Sequence, residues 1–385
     1  MGRSQLGEKM DAKARFGDFT QTGKELSVAA RVAVRDVLDV KKGEKVLIIT
    51  NPEMNVHTIS MSIYDAVIEA KGVPALCVQP YKTQLDFAEP SIVKAIESNP
   101  DVAISLSAEK LGKDAAAMAS PFKSGSKTYD HAFNYLMGEK KMRSFWSPSV
   151  TMEMFAKTVP IDYAALRRDC KNLKAALDKA NSARITTAAG TDITIGLKGR
   201  ETHVDDGDFR RPGTGGNLPA GEVYISPELG KSNGKIVFDG SISVTDGDVV
   251  TKEPVIVEVK DGFVVGIEGG READALKEAI ENGERSPVTW AREGKLASDL
   301  VEGYKRNASN LGELGIGLNR AAQIVGNMLE DEKVYSTCHI AIGSNYDDDA
   351  KAMTHLDCLV KKPTIELAFS NGAKKAVMEG GALTR

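Results

Sequence analysis

The sequence predicts two domains: an α/β N-terminal domain with a mainly parallel sheet, followed by a β-rich α+β C-terminal domain. Three observations predict it. The chain has 385 residues, more than one hydrophobic core ordinarily serves. Amphipathic and fully apolar runs alternate over residues 23–180, the order that repeated α/β units give. From about residue 182 the character changes to short β segments separated by turn residues, so the division is drawn at 1–180 and 181–385.

In the first domain, ELSVAARVAVRDVL has the apolar spacing of an amphipathic helix, and KVLIIT (45–50) is an apolar run that suits a buried strand. A helix over 56–71, the strand PALCVQ (74–79) and the strand DVAISLS (101–107) come next. KTYDHAFNYLMGEKKM and YAALRRDCKNLKAALDKA suit helices. Strands that alternate with helices give a parallel sheet in a three-layer arrangement. The turn after KVLIIT reads NPEM and has no glycine fingerprint, which argues against NAD or ATP. In the second domain ARITTAAGTDITIGL, GEVYISP, GKIVFDGSISV, PVIVEVKDGFVVGIEG, STCHIAIGS and MTHLDCLVKKPTIEL read as strands. Helices are expected over 271–283 and from Asn319, as N-cap, to about residue 330.

Composition narrows the function class. Hydrophobic residues at 42% and charged residues at 27% describe an ordinary soluble globular chain. The formal net charge of −4 is spread along the sequence, so nucleic acid is not an expected partner. Cys77, Cys170, Cys338 and Cys358 are scattered without a CxxC pair, which argues against a disulfide framework or a thiolate zinc site and fits a reducing cytoplasm. The N-terminus lacks an apolar signal core, Leu6 stands where an acylation motif wants Ser or Thr, and no apolar run approaches the roughly 20 residues of a membrane span. No membrane association is expected.

The chemistry-bearing residues lie toward the C-terminus. In an extended THLDCL, His355 and Asp357 share one face, which makes them half of a metal site or a hydrogen-bonded pair. His339 sits in the apolar segment CHIAIG, where it needs a ligand or a backbone partner. Glu313 lies among three glycines in NLGELGIGLN, read as a constrained loop before a helix. Glu222 opens a strand in NLPAGEVYISP, where an exposed strand glutamate is the simpler reading. Tyr346, seven residues after His339, offers a phenol, and Asp347, Asp348 and Asp349 read as a solvated turn without the glycine and terminal glutamate of a calcium loop. His57 and His131 fall on helices and His203 in a charged loop, and none of them is assigned chemistry.

The segments GTDITIGL, NLPAGEVYISP, NLGELGIGLN, DEKVYSTCHIAIGSNY and HLDCLV, with KKGEKVLII and IDYAAL upstream, resemble the aminopeptidase T family of metallopeptidases, the M29 group. That resemblance implies a C-terminal metal site made of Glu222, Glu313, His339, Tyr346, His355 and Asp357. It also implies two divalent ions (zinc, cobalt or manganese) and a homodimer. The expected activity is that of a metallo-aminopeptidase, a hydrolase acting on peptides with a free N-terminus. A metal-activated water would attack, Glu313 would shuttle the proton, and Tyr346 would bind metal or the oxyanion. The fold is also similar to that of the 2,5-dihydroxypyridine dioxygenases, in which two histidines and an aspartate hold one Fe(II). His339, His355 and Asp357 are the matching candidates for that alternative. A non-catalytic metal-binding relative is a third reading.

Overall fold

The computed structural model of the chain describes residues 21–83 and 86–384, and the N-terminal stretch read for signal and acylation motifs lies outside them. Content is mixed α/β, with one parallel sheet and larger antiparallel sheets. The chain forms two compact units: the chain up to Pro160 with Asp208–Leu218, and Ile161–Gly207 with Pro219–Arg385.

The first unit is built on a five-stranded sheet ordered Gly215–Asn217, Arg143–Trp146, Val102–Leu106, Lys45–Thr50 and Val73–Val78, with every neighbouring pair parallel. KVLIIT is apolar on both faces because helices cover both. Leu47 and Ile49 pack with Ile92, Val93 and Ile96 of the helix Pro90–Glu97 and with Leu136 of the helix Ala132–Gly138. The helix Met54–Glu69 begins where Glu53 accepts a hydrogen bond from Val56 N at 3.1 Å. The helix expected over KTYDHAFNYLMGEKKM is shorter than the reading. Lys127–Tyr129 pairs as a strand with Phe122–Ser124, and His131 then caps the helix through Nδ1, accepting from Phe133 N at 3.0 Å.

In the second unit the helix Tyr163–Leu177 buries Tyr163, Leu166, Cys170, Leu173 and Leu177, a single stripe at three- and four-residue steps, against the strands Thr202–Asp205 and Glu222–Ile225. That packing places residues 161–180 with the second unit. An eight-stranded antiparallel sheet runs from Phe263–Glu268 at one edge to Ala382–Leu383 at the other. The helix expected over 271–283 extends over Arg271–Arg292.

A seven-stranded sheet positions the site. Five of its strands are β1 (Thr202–Asp205), β2 (Glu222–Ile225), β3 (Leu311–Gly317), β4 (Thr337–Gly343) and β5 (His355–Lys361), adjacent in the order β5-β4-β3-β2-β1 and antiparallel throughout. Every residue of β3 and β4 is buried. Alternation sorts them: Val223, Ile225, Leu314, Ile316, Cys338, Ile340, Leu356 and Cys358 fill an apolar core on one face.

Three expectations are corrected here. Glu313 lies in β3, not in a loop, because the glycines allow close strand packing: a Cβ at Gly315 would overlap the His339 ring at Nε2 and Cε1. Of the helix expected from Asn319 to 330, only Met328–Asp331 is helical. Gly326 takes φ +78°, and the preceding amides are held instead by buried carboxylates, Asp331 accepting from Val325 N and Gly326 N and Glu330 from Gln323 N. Asn319 still caps locally, accepting from Ala321 N at 3.0 Å. His203, read as a loop residue, lies in β1.

Candidate metal centre

The other face of the five strands carries the polar residues. His203 and Asp205 on β1 pair with Tyr224 and Glu222 on β2, and these pair with Gly315 and Gly317 on β3. His339 on β4 is the partner of Gly315, and Asp357 on β5 is the partner of Ala341. The two-residue period puts Glu313, His339, His355 and Asp357 on this same face. Glycine opposite histidine gives the imidazole room to lie across β3.

Glu313, only 3% exposed, is the hub. Its Oε1 is 3.1 Å from His339 Nε2 and its Oε2 is 3.3 Å from His355 Nε2. His355 Nε2 also stands 3.4 Å from Asp357 Oδ1, and His339 Nε2 stands 3.5 Å from Glu222 Oε2. The structure therefore brings Glu222, Glu313, His339, His355 and Asp357 together. Three sets have donor atoms within 4.8 Å of one another among the described residues: Glu313 with His355 and Asp357, Glu222 with Glu313 and His339, and Glu332 with His339 and Asp357. No set contains both histidines, because Glu313 lies between them. The grouping of His339, His355 and Asp357 expected for a single iron is not among these three sets.

Glu222, expected to be exposed, is 6% exposed and bonded through Oε1 to Lys333 Nζ at 2.6 Å. Lys333 is fully buried and also meets Glu332 and, at 3.6 Å, Asp205. Sequence reading missed Asp205, Glu332 and Lys333. The signal available was the charged DEK (331–333) set directly before an apolar strand, where charges must be paired.

Electrostatics follow from crowding. Burial raises Glu222, Asp205 and Glu332, the latter two to about 8, against the pull of the Lys333 ammonium. Burial also works against ionisation of Glu313, but hydrogen bonds from the two imidazoles outweigh it and hold Glu313 down at about 2. The same contacts overcome burial at His339 and raise it to about 9, while Asp357 and Glu313 carry His355 well above its ordinary value.

These residues fit a divalent cation. Nδ1 of His355 donates to Ser344 O at 2.9 Å, which turns the Nε2 lone pair toward the oxygens of Glu313 and Asp357. A lone pair facing two carboxylates is repulsive unless a proton or a cation lies between them. Asp357 Oδ1, Glu222 Oε2 and His339 Nδ1 are buried without a hydrogen-bond partner. Nitrogen and oxygen donors within 4.8 Å match ligands about 2.0–2.2 Å from one shared ion, and no thiol takes part. Tyr346 is placed differently from the rest: its ring meets that of His355 edge-on, with centroids 5.3 Å apart.

Comparison with known proteins bears on the chemistry. A family model described as NicX, 2,5-dihydroxypyridine 5,6-dioxygenase, matches residues 148–367, more than half of the chain. A curated relative, the 2,5-dihydroxypyridine 5,6-dioxygenase of Pseudomonas putida KT2440, is 26% identical over 105 residues, a match spanning 27% of this chain and 30% of that protein. The solved structure of 2,5-dihydroxypyridine dioxygenase from the same organism superposes with a TM-score of 0.68 at 16% identity, covering 95% of this chain and 98% of that one. Wild-type AmpT from Thermus thermophilus superposes with a TM-score of 0.60 at 16% identity, covering 94% and 99%. The aminopeptidase T resemblance therefore holds at the level of the fold.

The activity expected from that resemblance is corrected. Metallo-aminopeptidase, hydrolase and peptide substrates with a free N-terminus all give way, because the family match and the curated relative point to a dioxygenase, an oxidoreductase. The donor set could not decide the matter, since imidazole and carboxylate serve a hydrolytic ion and a redox-active one equally. Among the described residues no helix is long and apolar enough to cross a membrane.

Proposed function

This chain belongs to the 2,5-dihydroxypyridine 5,6-dioxygenase family, and from that premise we propose that it is an Fe(II)-dependent dioxygenase opening a hydroxylated aromatic or heteroaromatic ring of the dihydroxypyridine class. The observation that carries the reading is the coincidence of two facts. The family match over residues 148–367 contains all five site strands, and on those strands Glu313, His355 and Asp357 bring three donors onto one point. Three protein donors leave positions open for a substrate and for oxygen. Bound there, Fe(II) would supply the one-electron chemistry through which ground-state dioxygen reacts with an electron-rich ring.

The chain's own groups divide the remaining work. Glu313, His355 and Asp357 are the proposed ligands, with Ser344 O fixing the His355 tautomer. His339 Nε2 stands 3.1 Å from Glu313 Oε1, and its raised pKa in the metal-free protein suits it to hold a proton there and fix the orientation of the Glu313 carboxylate. Glu222 Oε2 has no hydrogen-bond partner, and burial raises the pKa of the carboxyl above its ordinary value. We assign it as acceptor of the proton that a ring hydroxyl loses on binding. Lys333 keeps Glu222 in place through Oε1. Both atoms of O2 enter the product as a ring carbon–carbon bond breaks, so no added reductant is consumed.

The test is oxygen uptake by protein reconstituted with Fe(II) under anaerobic conditions, then given 2,5-dihydroxypyridine and air. Uptake that requires both iron and the ring compound supports the reading. Bound iron with no uptake on a series of dihydroxylated rings refutes it.

A further inference from the structure

Beside His355 the sheet carries a run of rings that the ligand set does not use. Tyr346 meets Tyr224 with centroids 5.1 Å apart and planes tilted by 57°, and Tyr224 stacks on His203 at 5.3 Å and 29°. His203 and Tyr224 are register partners on the face that bears the carboxylates. The run therefore extends from Nε2 of His203, which is buried without a hydrogen-bond partner, to the imidazole of His355.

Tyr346 is 56% exposed, yet its turn is pinned. Arg200, only 11% exposed at its side chain, donates to Asp347 Oδ2 at 3.0 Å and to Asp349 Oδ2 at 2.8 Å. Asn345 donates to Asp349 Oδ1 at 2.5 Å and accepts from Ala350 N at 3.2 Å. The carbonyl oxygen of Ser344, at the start of the same turn, accepts the hydrogen bond from His355 Nδ1. Asp347 and Asp349, read in the sequence as a solvated turn, thus clamp a nearly buried guanidinium. A large aromatic face left open to solvent, backed by two rings and held by a charged clamp next to a proposed ligand, is preorganised to receive another flat ring.

We propose that Tyr346 is the ring-stacking residue of this site, with Arg200 as the positioning residue that presents it. The ligand it takes is a planar hydroxylated aromatic or heteroaromatic ring, stacked on the exposed Tyr346 face with its hydroxyls directed toward Glu313 and Asp357. This rests on the dioxygenase reading for the class of substrate, but not for the geometry. It assigns Tyr346 work done by its ring instead of its hydroxyl.

The experiment is anaerobic calorimetric titration of the full-length, Fe(II)-loaded protein with 2,5-dihydroxypyridine, so that binding is read without turnover. Tyr346→Ala is expected to weaken binding about three- to tenfold, roughly 0.6–1.4 kcal/mol, with bound iron unchanged. Tyr346→Phe should bind within about twofold of the parent, since the ring is kept. Arg200→Met should raise KM for the ring substrate more than it lowers kcat. Binding by Tyr346→Ala equal to the parent overturns the proposal, and so does a Tyr346→Phe variant as weak as Tyr346→Ala, which would return the role to the hydroxyl. Tyr346-dependent binding without oxygen uptake would sink the dioxygenase reading and leave the stacking site standing. Oxygen uptake with Tyr346-independent binding would do the reverse.

Discussion

Replacing Glu313 by glutamine keeps the shape of the side chain and removes its charge, at the position where the geometry is most concentrated. Glu313 belongs to two of the three donor sets, and its two oxygens face both imidazoles at 3.1 and 3.3 Å. The substitution leaves only the set of Glu332, His339 and Asp357 complete. Loss of a residue that merely orients a ligand costs about 10–100-fold in metal affinity, so loss of a ligand shared by two sets should cost at least about 100-fold, or roughly 2.7 kcal/mol. The assay is competition for Fe(II) or Mn(II) against a chromogenic chelator. In the parent protein the affinity should also rise with pH. Asp357 and Glu313 overcome burial and raise the pKa of His355 well above its ordinary value in the metal-free state, and the side chain must shed that proton to become a ligand, so the metal and the proton compete and binding tightens from about pH 6 to about pH 8. A Glu313→Gln protein that binds metal within threefold of the parent, or a parent affinity flat across that range, would refute the reasoning.

Three further outcomes follow from other contacts. Gly315→Ala places a methyl group into the His339 ring, so far-UV circular dichroism should persist while stability falls by about 1–3 kcal/mol; unchanged melting would contradict the close approach. Lys333→Met strands the carboxylates of Glu222, Glu332 and Asp205, and denaturant titration should show a loss of about 3–5 kcal/mol, a cost under about 1 kcal/mol being the contrary result. In the other unit Arg143, nearly buried, pairs with Glu44 at 2.6 Å and 3.0 Å. Burial alone would raise Glu44, but the guanidinium and the Lys41 amide hold it below its ordinary 4.5. A folded value below the unfolded one means that the stabilisation is present above about pH 4.5 and is lost as pH falls through the folded value. Glu44→Gln should therefore flatten the stability profile below that pH, and an identical acid limb in both proteins would count against the pairing.

Much of this was legible in the sequence, for physical reasons that also mark where legibility stopped. KVLIIT and DVAISLS declared buried parallel strands because an apolar run with no polar face has only that use. The i and i+2 spacing of His355 and Asp357 put both on one face without any knowledge of the fold. Glu313 was named but misplaced in a loop, since local glycine content signals a turn and only the partner strand reveals that Gly315 makes room for His339. Lys333 and Asp205 escaped because pairing across β1, β2 and the segment before β4 is set by tertiary contact, not by spacing along the chain. The chemistry escaped for a different reason: imidazole and carboxylate ligands do not announce which ion they hold or what that ion does.

The most direct measurement is the fate of labelled oxygen. Iron-loaded protein turning over 2,5-dihydroxypyridine under 18O2 should consume one O2 per ring opened and yield a product carrying both labelled atoms. Product labelled from water, or ring loss without oxygen consumption, would contradict a dioxygenase built on Glu313, His355 and Asp357.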